Sequence, residues 1–191
     1  MADQAGTRAI TVEEVEALSA KGITREIIDG QWVIPDGETQ MAGKQHGAIS
    51  AKLNYFLVAY VIENPAGTVY ADNTSYVLES DTHGVELIRV PDVSFVRTER
   101  IDREKPNSPH YQAPDLAIEI ISPSESGAEI RRKLKDYLRT GTGQVWQVYP
   151  NTKEVVVYLP DGTGITYEIG QSIPGGELLP GFELDVAKIF E

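Results

Sequence analysis

Residues 115–122 read Asp115-Leu116-Ala117-Ile118-Glu119-Ile120-Ile121-Ser122, and the rest of the chain is organised around them. An apolar run of this length, bounded by Pro114 and Pro123, predicts a buried strand. Glu119 interrupts the run, and burying an ionised carboxylate costs several kcal/mol unless it is paired or holds a metal. Glu119 is therefore expected either to have a structural ion-pair partner or to belong to a functional site.

The composition predicts a single globular domain. The chain has 191 residues, of which 41% are hydrophobic and none is cysteine. We expect residues 10–191 to form one domain and residues 1–9 a flexible tail. No apolar run approaches the ~20 residues of a membrane span, and residues 1–9 lack a signal-peptide pattern. The absence of cysteine excludes disulfides and thiolate metal sites and fits a cytoplasmic protein.

The formal net charge of −12 limits how the protein could bind nucleic acid. An acidic chain cannot attract a polyanion through its overall field, so such a partner needs a local basic patch. A helix predicted at residues 128–140 offers one. Its five basic residues are Arg131, Arg132, Lys133, Lys135 and Arg139.

The N-terminal half alternates between helix and strand signals. Thr11 and Glu14 form a capping-box pattern that opens a helix ending near Ala20. Asp29-Gly30 between two apolar runs predicts a hairpin at residues 26–34. Apolar residues at three- and four-residue spacing predict a helix over residues 45–63, with one apolar stripe. Further strands are predicted at 68–79, 85–89 and 91–96.

The C-terminal half predicts a β-meander after the helix at 128–140. Its strands are expected at 145–149, 155–159 and 165–169, followed by loops at 174–176 and 180–181 and a last short helix to Phe190 that Asp185 can cap. The chain is thus expected to be an α/β (α+β) protein, with a mixed central sheet flanked by helices and a C-terminal β-meander.

Two carboxylates and one lysine form the strongest candidate site. Asp92 opens the strand at 91–96, and adjacent strands lie about 4.8 Å apart, so pairing with the central strand would bring Asp92 near Glu119. Two carboxylates suffice for a hard cation such as Mg²⁺. Lys133, on the border of the buried helix face, could reach the same place. From spacing alone, a structural ion-pair network is the commoner explanation.

His46 also has two interpretations. It lies in the first turn of the helix over 45–63, on the side of the apolar stripe. It could be a packed or capping histidine, or a polar group at a helix end that faces the site.

At these residues the sequence resembles the Uma-type restriction endonuclease family of the PD-(D/E)XK nuclease superfamily. No single motif is sharp, but their order and spacing are specific, and the similarity covers nearly all the chain after about residue 10. The matching pieces are 26–30, the helix bearing His46, 91–93, 114–124, the trio Glu129, Lys133 and Tyr137, Gly141, 145–148, 179–182 and 189–190.

The resemblance implies a restriction-endonuclease-like core and a Mg²⁺- or Mn²⁺-dependent DNA endonuclease. Asp92, Glu119 and the Ile120 carbonyl would hold the metal, and Lys133 would support the nucleophile or the phosphate. Candidate supporting groups are His46, Glu26, Glu129 and Tyr137. Candidate nucleic-acid contacts are Arg131, Arg132, Lys135 and Arg139. Nucleases that cut both strands often act as dimers, so a homodimer is expected, although no exposed apolar stripe identifies its interface.

The net charge of −12, one departure from the superfamily pattern and one from the family pattern support a different reading. The superfamily lysine normally lies two residues after the second acid, where this chain has Ile121. Gln31 stands where relatives often have glutamate. The alternative is a catalytically inactive nuclease-like module that binds nucleic acid or a protein partner.

Overall fold

The computed structural model describes residues 8–33 and 43–191, so residues 1–7 of the predicted tail and Ile34 of the predicted hairpin lie outside it. The helices are α1 (Val12–Ser19), α2 (Lys44–Glu63), α3 (Gly127–Arg139) and α4 (Ala187–Phe190). The strands are β1 (Ile27–Ile28), β2 (Gln31–Trp32), β3 (Gly67–Ala71), β4 (Tyr76–Ser80), β5 (Val85–Arg89), β6 (Val93–Arg97), β7 (Leu116–Ile120), β8 (Gln144–Tyr149), β9 (Glu154–Tyr158), β10 (Gly164–Glu168), β11 (Ser172–Pro174) and β12 (Glu183–Asp185).

A mixed six-stranded sheet forms the centre, in the order β10-β9-β8-β7-β6-β3. The predicted buried strand, β7, lies inside this sheet, parallel to β8 and antiparallel to β6. All five of its residues are buried, as an apolar strand covered on both faces should be. β8, β9 and β10 form the predicted meander. The predicted fold class is confirmed.

Helices cover both faces of the central sheet. α2 contributes Ile49, Leu53 and Leu57 to the main core, which also contains Trp146. α3 covers the opposite face through Tyr137, which packs against Ala117 and Val145. Because β7 is shielded from both sides, a charged group on it depends on partners from these helices.

A second sheet, in the order β2-β1-β5-β4, packs with α1. The predicted capping box of α1 is present, and β1 and β2 form the predicted hairpin. The buried Tyr76 hydroxyl of β4 lies 2.7 Å from Ser94 Oγ of β6, which joins the two sheets by a polar contact. Across residues 8–33 and 43–191, no helix is both long and apolar enough to cross a bilayer.

Two short strands between β10 and α4 were not predicted, and the first of them includes Pro174 of the predicted loop at 174–176. Residues 172–174 and 183–185 pair antiparallel as β11 and β12, which buries Ile173 and Leu184. Three-residue strands are too short to show alternation, and Pro174 argues against a strand when the sequence is read alone. Asp185, the predicted cap of the last helix, lies one residue before the N-cap Val186, and its Oδ1 accepts from the Ala187 amide at 2.9 Å.

Candidate active site

The pairing of β6 with β7 brings the two predicted carboxylates together. Val93 lies opposite Ile118 and Ser94 opposite Ala117, and extending this register by one residue places Asp92 across from Glu119. Residues directly opposite in an antiparallel pair project from the same face of the sheet. The Ile120 amide donates to Asp92 Oδ2 at 2.7 Å, which fixes Asp92 at the end of β7.

Glu119 is almost fully buried, with 4% of its surface exposed, and both of its carboxylate oxygens have partners. Lys133 Nζ lies 2.9 Å from Oε2, and the Tyr137 hydroxyl donates to Oε1 at 2.7 Å. The charge on the central strand is therefore compensated by an ammonium group and a phenol from α3.

The start of α3 explains why these two side chains reach Glu119. Ser126 caps the helix and forms a capping box with Glu129, whose Oε2 accepts from the Ser126 amide at 3.0 Å. Residues four apart lie on one helix face, so Lys133 and Tyr137 point together toward β7. Of the spaced trio, two members contact Glu119 and Glu129 serves the helix end.

His46 reaches the site from α2, which covers the face of the sheet opposite to α3. Its Nε2 lies 3.2 Å from Asp92 Oδ2, and both side chains are about one quarter exposed. The hydrogen bond to Asp92 raises the pKa of His46, against the opposing effect of partial burial, and the charges of Glu125 and Glu119 add to the rise. Each candidate carboxylate thus already faces a cation or a titratable base of this chain.

Arg89, which the sequence analysis did not identify, forms two ion pairs close to the site. It is only 2% exposed, its Nε donates to Asp136 Oδ2 at 3.0 Å, and its Nη1 donates to Glu26 Oε2 at 3.0 Å. Glu26 therefore binds Arg89, and its charge contributes to raising the pKa values of Glu119, Lys133 and Tyr137. One sequence feature could have pointed to this contact: Asp136, which binds Arg89, directly precedes Tyr137.

Glu125 is a second group missed at the level of sequence. Its Oε1 lies 3.4 Å from Lys133 Nζ, and its Oε2 accepts from the Ser122 amide at 2.8 Å. Ser122 and Glu125 have the three-residue spacing of a capping box, and this sequence feature could have identified their contact. Lys133 is therefore held between two carboxylates, one on β7 and one in the loop before α3.

One cavity of about 460 Å³ is lined by Asp92, Glu119, Lys133, Glu125 and His46, whereas Tyr137, Glu129 and Glu26 do not line it. Ile121, where the superfamily pattern named above would have lysine, lines this cavity, and so does Lys133 of α3. Gln31 is exposed on β2 and lines a separate concavity with Arg8 and Trp32. The candidate residues that line the central cavity are His46, Asp92, Glu119, Ile120 and Lys133.

The electrostatics of the cavity centre on Glu119. Burial raises the pKa of this carboxyl to about 7, although the ammonium of Lys133 opposes the rise. Burial alone would lower the pKa of Lys133, but the charges of Glu119, Glu26 and Glu125 raise it above its ordinary value. Lys133 therefore stays charged, while Glu119 can exchange a proton near neutral pH.

The predicted basic patch on α3 is partly neutralised. Arg132 pairs with Asp29 at 2.7 Å, and Arg139 pairs with Glu79 and with Asp136. Arg131 and Lys135 are exposed and have no ion pair within the described part of the chain. Two of the four predicted nucleic-acid contacts are therefore free cations.

The donor set suits a hard cation of the kind held by few protein groups. Within the described ranges, no three His, Cys, Asp or Glu side chains cluster as a metal site. Asp92 and Glu119 nevertheless offer carboxylate oxygens, and Mg²⁺ uses one or two carboxylates and keeps several waters. Each carboxylate has about four lone-pair positions, so the bonds from Lys133 and Tyr137 leave Glu119 further capacity.

We expect magnesium to stabilise the protein more at about pH 8 than at about pH 6, because a cation must compete with the proton on Glu119. The folded-state pKa of about 7 exceeds the ordinary value of 4.5. Without metal, this group therefore lowers stability as pH rises from 4.5 to about 7, and has no further effect above that. Melting temperatures with and without magnesium across this range measure both effects.

The control for this pH dependence is Glu119→Gln, which removes the titrating group with little change in volume. The variant should lose both the magnesium shift and its pH dependence. A wild-type magnesium shift that stays constant between about pH 6 and about pH 8 would contradict the assignment of Glu119 as the competing group.

Comparison with known proteins finds a matching family model and similar solved structures. The family model described as "Uma2: Putative restriction endonuclease" matches residues 12–187. A solved structure, described as a "putative nuclease belonging to DUF820 from Anabaena variabilis", has 23% identity and a TM-score of 0.74. The alignment covers 95% of this chain and 97% of that one, and at this identity it shows a shared fold. No curated protein matches.

Proposed function

The chain belongs to the Uma2 putative restriction endonuclease family, and from this premise we propose that it is a metal-dependent DNA endonuclease that hydrolyses phosphodiester bonds. The family assignment supports a nuclease role. The observation that carries the proposal is the convergence of Asp92, Glu119 and Lys133 on one cavity, where β6 begins and β7 ends. We also propose that residues 10–191 act as one domain, since Arg89 of the smaller sheet is bound to Asp136 of α3.

We propose a role for each of these residues. Asp92, Glu119 and the Ile120 carbonyl would hold Mg²⁺ or Mn²⁺. Such an ion, when bound, polarises a phosphodiester and lowers the pKa of a coordinated water. The Lys133 ammonium, kept at the cavity by Glu125, offsets negative charge on the attacked phosphate.

Two further residues act as positioning groups. Tyr137 fixes the orientation of Glu119 through its hydroxyl, and His46 does the same for Asp92. A carboxylate with a second hydrogen-bonded partner loses fewer conformations when it binds a cation, because its orientation is already set.

DNA would contact the exposed cations of α3. Arg131 and Lys135 can approach the backbone without giving up an ion pair, whereas Arg132 and Arg139 would have to leave their carboxylates. Because two phosphate contacts release few counterions and the chain carries a net charge of −12, we propose that DNA binding is weak.

A second candidate is a catalytically inactive module that binds nucleic acid or a protein partner. The observation that favours it is the pairing of Glu119, whose two oxygens already accept from Lys133 and Tyr137. In this case the cavity would be an internal ion-pair network. The absence of lysine at Ile121 agrees with this candidate.

Cleavage of supercoiled plasmid with magnesium or manganese tests the proposal. We expect wild-type protein to nick or linearise the plasmid, and Glu119→Gln and Asp92→Asn to lose about 10²-fold or more of the rate. Glu129→Gln is the matched control, because Glu129 is an acid that serves the start of α3 and does not line the cavity. Equal cleavage by wild type and Glu119→Gln would exclude this site, and no wild-type cleavage with either metal would favour the inactive module.

A further inference from the structure

Helix α2 has two apolar faces, only one of which is buried. Ile49, Leu53 and Leu57 lie in the core, as predicted from their spacing. On the opposite side, Tyr55 is 67% exposed and Ile62 is 75% exposed. This second face, here called the outer stripe, consists of Ala48, Ala51, Tyr55, Val58 and Ile62, all exposed.

The outer stripe is continuous along the helix. At 100° per residue, its five members fall within about 80° of arc, centred opposite the buried face. Its five members carry no charge, and Lys44 lies on the same arc one turn before Ala48, at the N-terminal end of the helix. A helix that is apolar on both sides is expected to be covered on both sides, and within the described ranges no element covers the outer stripe.

We propose that the outer stripe binds the same stripe of a second copy of this chain, with the two α2 helices antiparallel about a twofold axis at Tyr55. The stripe has small residues at its N-terminal end and large residues at its C-terminal end. The antiparallel arrangement places Ala48 opposite Ile62 of the second copy. A parallel arrangement would instead face Ile62 with Ile62 and leave a gap at Ala48.

Charges at the two ends of α2 favour the same arrangement. Lys44 and Glu63 are both exposed, and neither has an ion pair within the part of the chain described here. In the antiparallel pair, Lys44 of one copy lies within one helical turn of Glu63 of the other. The twofold axis repeats this contact, because an isologous interface presents the same patch from both subunits.

The expected dimer is dynamic. One helix face offers less area than the roughly 800 Å² per partner of a standard stable interface, so association should depend on protein concentration. Dimerisation is measured without nucleic acid or metal, and it therefore succeeds or fails independently of the proposed nuclease activity.

The absence of native cysteine makes cross-linking a specific test. Tyr55→Cys lies on the proposed axis and should form a disulfide-linked dimer under mild oxidation. Ile169→Cys, at an exposed position of 53% outside the stripe, is the control for random collision. A mixture of Ala48→Cys and Ile62→Cys should cross-link faster than either variant alone, whereas faster linking of each alone would overturn the antiparallel arrangement.

Sedimentation of the unmodified chain supplies the second measurement. We expect a monomer–dimer equilibrium that Tyr55→Glu shifts to monomer by at least tenfold in the dissociation constant. Lys44→Glu and Glu63→Lys should each weaken the dimer, and the double variant should recover it. A wild-type monomer at all concentrations would overturn the proposal. Protection of Tyr55→Cys from a thiol reagent in that monomer would mean that a segment of the same chain covers the stripe.

Discussion

Lys133→Met is expected to lose cleavage activity by about 10²- to 10³-fold while binding magnesium about tenfold more tightly. These opposite effects follow from the position of the ammonium group. Its Nζ lies 2.9 Å from Glu119 Oε2. A metal ion bound to Glu119 would therefore lie close to this positive charge. Removing it takes away the charge that faces the phosphate and also the charge that repels an incoming metal ion.

The proton on Glu119 responds to the same substitution but less strongly. Without Lys133, the pKa of Glu119 rises further, because the ammonium no longer opposes the effect of burial. A divalent ion carries twice the charge of a proton and gains about twice as much from the loss of the repulsion. Magnesium binding should therefore tighten at about pH 8 even though proton competition increases.

Calorimetric titration with magnesium and plasmid cleavage give the two readouts. Lys135→Met is the matched control, since it removes an exposed lysine two residues away on the same helix. It should leave magnesium affinity unchanged and weaken DNA binding slightly. If Lys133→Met bound magnesium more weakly than wild type, Lys133 would be needed to hold the carboxylates in place, and its role would be structural.

The central strand and its nearest partners could be predicted because their signals are local. An apolar run between two prolines identified β7, and four-residue spacing on α3 put Lys133 and Tyr137 on one face. The proximity of Asp92 and Glu119 required only that two successive strands pair, which neighbouring strands usually do. Their roles in catalysis remain predictions.

The ion pairs of Arg89 could not be predicted because they join elements that are distant in sequence. Arg89 on β5 meets Asp136 on α3 and Glu26 before β1, partners that are 47 and 63 residues away. No periodicity links such positions. The outer stripe escaped notice for another reason, since a helix with two apolar faces still shows the spacing of its buried face.

Asp136→Asn is expected to reduce the free energy of unfolding by about 3 kcal/mol, because it leaves a buried guanidinium with one charged partner fewer. Arg89 is 2% exposed and Asp136 is 5% exposed, so water cannot replace the lost carboxylate. The substitution preserves volume, which separates the loss of charge from the creation of a cavity. Urea unfolding should show a lower midpoint with an unchanged slope.

The matched control is Arg132→Met, which breaks an ion pair at the surface. Arg132 and Asp29 have side chains that are 43% and 82% exposed, so this pair should contribute less than about 1 kcal/mol. If Asp136→Asn cost no more than the control, Glu26 alone would suffice to compensate Arg89. Glu26 is itself one fifth exposed, and solvent screens its charge, so we expect the larger loss of stability. The residues that pack next to Tyr137 and Glu119 should then be less ordered as well.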